Sequence, residues 1–135
     1  MVLVAPFTVR LGEDQVYEPD IIAIRKPRLH LLTRSHLDGA PDLVVEVLSP
    51  STAAKDRKHK RRLYEAAGVP QYLLIDPAYR CVELYSLDAG GRYPAPEVLD
   101  AGESLTLWVA PGFSLTLANL FGWPLVAEEN RASYG

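Results

Sequence analysis

Cysteine is nearly absent: the one thiol, Cys81, excludes an intramolecular disulfide and any cysteine-rich zinc site. It opens an alternating apolar segment and reads as a small buried hydrophobe. Apolar runs are only a few residues long, far short of the ~20 that cross a bilayer. Met1 to Phe7 lacks the basic start and small-residue cleavage site of a signal peptide. Histidines are few and scattered (His30, His36, His59), without metal-ligand spacing, and are expected at the surface. Asparagine and glutamine number two each against eleven prolines, a balance that suits a thermophile. No repeat or low-complexity tract divides the chain. There is no basic excess either. Fourteen basic and seventeen acidic residues give a net charge of −3, unlike a nucleic-acid coating protein, whose domain pI usually exceeds ~9. What is present is ordinary globular material, 48% hydrophobic and 23% charged, enough for one core within residues 1–135. The expectation is a cytoplasmic protein with no membrane contact.

Charge is nonetheless unevenly spread. Lys55, Arg57, Lys58, Lys60, Arg61 and Arg62 put six basic residues into an eight-residue window, leaving the remainder distinctly acidic. Such a stripe either holds a polyanion or is a solvated helix face.

The pattern of apolar residues predicts a mixed α/β sheet. Val2 to Arg10 and Val16 to Ile24 are β-rich and flank Gly12, as in an antiparallel hairpin. Pro27 to Pro41 reads as polar and irregular. Asp42 to Ser49 is a nearly continuous apolar run of strand length, as expected for a strand buried on both faces. Ser49-Pro50-Ser51-Thr52 offers helix-start chemistry. The helix is predicted to end near Ala67, before Gly68-Val69-Pro70. Strands are predicted over Gln71 to Asp76 and Cys81 to Leu87, edge strands over Arg92 to Leu99 and Ser104 to Trp108, and a short closing helix over Leu115 to Phe121. Gly90-Gly91 reads as a hairpin turn, and Tyr72, Tyr85, Trp108 and Trp123 as core.

One residue breaks this pattern. Side chains alternate along a strand, so Asp42, Val44, Glu46 and Leu48 share a face. A carboxylate at Glu46, amid valine and leucine, costs several kcal/mol if it is buried and unpaired. A basic partner, a raised pKa or a bound cation must compensate. Asp42 lies roughly 13 Å away at strand rise, too far to share an ion with Glu46, and suits a strand start or a supporting role. Asp20, beside Ile21 to Ile24, is the better companion: on a neighbouring strand, roughly 4.8 Å away, the two carboxylates converge. Two carboxylates, waters and substrate phosphate are a common way to hold Mg²⁺. The bland alternative is that each carboxylate caps a strand or pairs with an arginine.

Projection of the helix at about 100° per residue gathers Ala53, Leu63, Tyr64 and Ala67 on one face, with Lys60 in its middle and Asp56 near its edge. Lys55, Lys58, Arg61 and Arg62 spread over the remainder. An inward lysine needs an anion, and Glu46 on the preceding strand is the natural one. Two readings stay open: a buried ion pair, or two acids and a lysine around a metal and a phosphate.

The order of these pieces resembles the PD-(D/E)xK nuclease core. More closely, the chain is similar to the Uma family of restriction-endonuclease-like proteins. The matching stretches are Pro19-Asp20-Ile-Ile, Pro41-Asp-Leu-Val-Val-Glu46-Val-Leu-Ser49-Pro-Ser-Thr52, Asp56-Arg-Lys-His-Lys60-Arg-Arg-Leu-Tyr64, Ala67-Gly68-Val-Pro70-Gln-Tyr72 and Leu74-Ile-Asp76-Pro77, with Pro111-Gly112-Phe and Leu120-Phe121 downstream. The resemblance covers nearly the whole chain. It implies a restriction-endonuclease-like mixed sheet with a central helix on one face and a short C-terminal helix. It also implies an endonuclease that uses Mg²⁺ (or Mn²⁺) to hydrolyse DNA phosphodiesters, DNA being favoured over RNA. Asp20 and Glu46 would be the catalytic acids and metal ligands. Leu48 stands where the superfamily has its lysine, so Lys60 would supply that function from the helix. Asp42, Asp56 and Tyr64 become candidates for supporting positions, while Lys55, Arg57, Lys58, Arg61 and Arg62 would hold the nucleic-acid backbone. A homodimer follows from the class, since two copies of one site cut both strands of a duplex. The chain opens almost directly at the first strand, so the expectation is one domain without the helical N-terminal segment usual in the family. The rival expectation is a catalytically inactive nuclease fold used for binding or assembly, with Glu46 and Lys60 as a structural ion pair.

Overall fold

A computed structural model describes residues 2–4, 7–49, 54–100, 102–107 and 114–116. Its axis is the apolar run around Glu46, which forms strand β6 (Leu43–Val47) in the middle of a mixed sheet. In spatial order that sheet is β1 (Val2–Val4), β4 (Ile21–Ala23), β6, β7 (Gln71–Asp76), β8 (Cys81–Ser86) and β9 (Glu97–Asp100). β6 and β7 run parallel and are joined through helix α1 (Ala54–Ala67); the other neighbours are antiparallel.

The expected hairpin forms, but broken in two. Val9 pairs with Tyr17 and, further out, Val2 pairs with Ala23. Between these pairs lies Pro19, which has no N–H to give a ladder. The outer half, β1 and β4, joins the six-stranded sheet. The inner half, β2 (Thr8–Gly12) and β3 (Gln15–Tyr17), joins a second sheet in which β2 also pairs in parallel with β5 (His36–Asp38). The stretch expected to be irregular therefore contains β5 and a 3₁₀ helix, Lys26–Leu31.

Helix α1 ends as its glycine requires. Gly68 takes φ +78°, its N–H donates to Glu65 O at 3.1 Å, and Val69 N–H donates to Tyr64 O at 3.0 Å. This pair of bonds is a Schellman motif, with fully buried Val69 as its apolar lock. Of the expected helix-start stretch Ser49 to Thr52, residues 50–52 lie outside the described residues. The closing helix needs correction: Leu115 and Thr116 belong to strand β11 (Ser114–Thr116), paired with β10 (Ser104–Thr106), and the rest of that span is outside the described residues. So are Trp108 and Trp123. The strand expected over Arg92 to Leu99 is shorter, β9 starting only at Glu97.

Alternation along the strands divides the core. Leu43, Val45, Leu73, Ile75, Val82 and Leu84 face one side, closed by Leu105 and Leu107. Ile22, Val44, Tyr72, Leu74 and Tyr85 face the other, where Leu63 and Tyr64 of α1 cover them. Each such fully buried Val or Leu contributes about 1.5–3 kcal/mol. Tyrosines dominate the helix side: ring centroids step 6.5, 5.0, 5.7 and 5.7 Å from Tyr17 through Tyr64, Tyr72 and Tyr85 to Tyr93. Cys81 is half-buried rather than enclosed.

Candidate functional site

The break at Pro19 leaves Asp20 at the end of β4. Ile21 pairs with Val45 and Ile22 with Val44, so one further step in that register brings Asp20 opposite Glu46. The carboxylate is fixed there by the adjacent backbone: Val47 N–H donates to Asp20 Oδ2 at 2.7 Å.

Glu46 points to the helix side and is 7% exposed. Its Oε2 accepts from Lys60 Nζ at 2.7 Å, and its Oε1 accepts from the Tyr64 hydroxyl at 3.3 Å. Lys60 retains 30% exposure of its side chain, whereas Tyr64 is fully buried. Burial raises the Glu46 pKa above its ordinary value of 4.5, and the negative charge of Asp20 adds to the rise; Lys60, with Tyr64, opposes it. The Tyr64 phenol is pushed upward, first by burial and then by the Glu46 charge, so it stays a donor. The cluster thus contains two mutually repelling carboxylates on neighbouring strands and an ammonium from the covering helix, an arrangement that can hold a cation or close on itself as an ion pair.

Other expected residues fall elsewhere. Asp42, 3% exposed, sits at the opposite end of β6. It accepts from Arg25 N–H at 2.7 Å and from Arg28 Nη1 at 3.0 Å, tying the 3₁₀ segment to the sheet. The side chains of Lys55 and Asp56 lie outside the described residues. The basic stripe does not form one face. Lys58 and Arg62 are exposed. Arg57 turns down to Glu83 Oε2 at 3.3 Å, and the Arg61 guanidinium lies 6.0 Å from the Tyr85 ring centroid. His30 and His59 are exposed, and His36 is half-buried against Thr33 and Ser35. Among the described residues, no group of three or more His, Cys, Asp and Glu is placed to hold a metal.

One residue of consequence escaped the sequence reading. Glu46 pairs across the sheet with Leu74, and Leu74 with Glu83, so the two glutamates flank a leucine on one face. Glu83 accepts from both Arg57 and the Tyr85 hydroxyl, a second acid, cation and tyrosine set beside the first. Alternation in Cys81 to Ser86, which sets Glu83 and Tyr85 against Val82 and Leu84, was the available signal. Tyr72, expected in the core, is 1% exposed, and among the described residues its hydroxyl has no hydrogen-bond partner.

Comparison with known proteins agrees with the fold. The family model Uma2, described as "Putative restriction endonuclease", matches residues 1–118. Among solved structures, the chain is similar to one from Anabaena variabilis described as "a putative nuclease belonging to DUF820". The identity is 21% and the TM-score 0.73, over 90% of this chain and 68% of that one. The likeness shows a shared fold, the restriction-endonuclease-like mixed sheet with a helix on one face. No functionally curated protein matches.

Proposed function

The chain belongs to the Uma2 family, and on that premise we propose that it is a metal-dependent endonuclease hydrolysing DNA phosphodiester bonds at Asp20, Glu46 and Lys60. One observation carries the reading: Lys60 Nζ reaches 2.7 Å from Glu46, on the strand whose next residue anchors Asp20. The donor set suits Mg²⁺ or Mn²⁺, which are often held by one or two carboxylates with water and substrate phosphate completing the shell. Burial and Asp20 both disfavour the ionised Glu46, a cost that a divalent cation would offset. When bound, such an ion supplies Lewis acidity toward a phosphoryl oxygen and acidifies water.

The chain's own residues do the rest. Val47 N–H fixes the Asp20 carboxylate, and Tyr64 O–H restrains Glu46. Lys60, partly exposed, can exchange its hold on Glu46 for the attacking water or for the charge that builds on phosphorus. Lys55, Arg57, Lys58, Arg61 and Arg62 hold the nucleic-acid backbone without reading sequence. Paired cuts in a duplex are made by a homodimer, working in the cytoplasm.

A second reading has its own observation. Lys60 and Tyr64 already occupy both oxygens of Glu46, which fits a structural pair in an inactive binding or assembly module. Titration of Mg²⁺ and Mn²⁺ into the native protein, Asp20→Ala and Glu46→Ala separates the two, alongside cleavage of supercoiled DNA. Loss of both ion binding and cleavage in the variants is expected. Unchanged ion binding in both variants would sink the nuclease reading.

A further inference from the structure

Beside the Glu46 centre, a cavity of about 230 Å³ opens between α1 and strands β7 and β8, lined in part by Arg57, Lys58, Arg61, Tyr72, Glu83 and Tyr85. Its charge is unbalanced: three cations face one carboxylate. Glu83 is already committed to Arg57 at 3.3 Å and to the Tyr85 hydroxyl at 3.1 Å. Tyr72 adds the independent sign. Its side chain is almost wholly buried, its hydroxyl is shielded from solvent, and among the described residues nothing donates to or accepts from that hydroxyl. A buried unpaired hydroxyl is costly and uncommon in a native fold, so this one is available to donate to an incoming acceptor.

We propose that this cavity is a binding site for a phosphate monoester, separate from the carboxylate centre. The net charge of two positive units matches a phosphate monoester, which carries about −1.5 to −2 near neutral pH. Guanidinium groups match phosphate oxygens in pairs, and Arg57 and Arg61, four residues apart on α1, reach the same cavity. Arg57 is held to Glu83 by a long contact and keeps 37% exposure of its side chain, so it can move toward an incoming anion. Tyr72 O–H then donates to a phosphate oxygen. A terminal phosphate suits such a recess better than an internal one, because a phosphodiester must lead the chain in and out again; on the nuclease reading above, Arg57 and Arg61 then hold the strand where it ends. The phosphate comes either from the end of a nucleic-acid strand or from a free phosphate compound.

Phosphate binding is measured by calorimetry at constant ionic strength, with chloride as control and chelator present, so that the result does not depend on the metal site. The native protein is expected to bind inorganic phosphate and to melt at a higher temperature with it. Tyr72→Phe is expected to melt higher than the native protein in chloride, where the lone hydroxyl is only a cost, and to bind phosphate about tenfold more weakly. Arg61→Gln, a change at a half-buried surface position, is expected to lose about tenfold as well. It keeps the proposal testable if Tyr72→Phe does not fold. A short single strand bearing a 5′- or 3′-phosphate is compared with its hydroxyl-ended twin. Tighter binding of either phosphorylated strand, lost in the variants, assigns the site to nucleic-acid ends. Equal binding of all strands, with inorganic phosphate still held, assigns it to free phosphate compounds. Absence of phosphate binding by the native protein, or binding that neither substitution weakens, overturns the proposal and leaves the cavity to ordered water.

Discussion

Replacing Lys60 with methionine isolates the electrostatics of the Glu46 centre, because the aliphatic stem is kept and only the ammonium at 2.7 Å is lost. Glu46, whose side chain is 10% exposed, is then left with the Tyr64 hydroxyl at 3.3 Å. Breaking a buried pair by removing one partner typically costs 3–5 kcal/mol. Water can enter where the 30% exposed ammonium stood, so a loss of about 2–3 kcal/mol is expected at pH 7. That corresponds to a fall of roughly 6–10 °C in Tm for a domain of this size. Glu46→Gln removes the desolvated charge instead, and its amide oxygen still accepts from Tyr64. This variant should lie within about 1 kcal/mol of the native protein, because relief of the desolvated charge offsets the lost bond to Lys60, which solvent reaches. The double variant should resemble Glu46→Gln, giving a coupling of about 2 kcal/mol in a double-mutant cycle.

The pH dependence has a definite sign. The folded-state pKa of Glu46 is raised above 4.5, so folding favours the protonated carboxyl. Its contribution is favourable below the unfolded value and is lost as pH rises through the folded one. Lys60 is the chief opponent of that rise. Without it the folded pKa climbs further, so the penalty of Lys60→Met should be full at pH 7 and vanish as the pH falls toward 4. Thermal melts of the four proteins at pH 4, 5, 6 and 7 in metal-free buffer make the comparison. A penalty below about 0.5 kcal/mol at pH 7, or one that is the same at pH 4 and 7, refutes the ammonium–carboxylate account.

Three further outcomes follow from the geometry. Asp20→Asn keeps an oxygen for Val47 N–H and should change urea stability by less than about 1 kcal/mol, while weakening Mn²⁺ binding, measured by calorimetry, about tenfold or more. Asp42→Ala removes the acceptor of the Arg25 N–H and of Arg28 Nη1, and should cost about 2–3 kcal/mol in urea denaturation while leaving Mn²⁺ affinity unaltered. Glu83→Gln breaks a pair whose side chains are 37% and 28% exposed, and should cost less than about 1 kcal/mol by the same measurement.

The chain's signals were uneven in strength. Gln71 to Asp76 was readable to the residue because an unbroken apolar run lay between Pro70 and Pro77, and the end of α1 because Gly68 can take a left-handed conformation. The approach of Lys60 to Glu46 was readable from two periodicities, 3.6 on the helix and 2 on the strand. Neither periodicity helps with three-residue elements. β5 lies in a polar stretch and owes its existence to pairing with β2. The segment around Leu115 carries an apolar spacing that a helix or a strand can satisfy, and pairing with Ser104–Thr106 decides for the strand. Arg57 was legible in principle, since it projects about 20° from Tyr64 on the helix wheel. Its partner Glu83 comes from a strand some twenty-odd residues later, and such pairings depend on sheet order, which no local pattern encodes.

That sheet order supplies an internal comparison. Glu46, Leu74 and Glu83 form one row across three strands under α1. Leu74, 5% exposed, shows that an apolar side chain packs well in this layer. If Glu46 and Lys60 served only to dock the helix, an apolar pair of similar volume would do so at no loss, and often with a gain of 1–4 kcal/mol. Glu83 and Arg57 escape this reasoning because they remain partly solvated. Glu46 does not. Its ionised form is disfavoured by burial and again by Asp20, so the fold carries an avoidable cost at the place where two carboxylates meet. A cost with no structural return is what a chemical use of the position predicts, and it favours the catalytic reading over the structural pair. The lysine's place on α1 then matters as well. The acids are fixed to the sheet by backbone pairing, while the ammonium depends on how the helix seats. Substitutions in the seat itself, at Leu63 or Val69, should therefore impair Lys60 before they disturb the carboxylates.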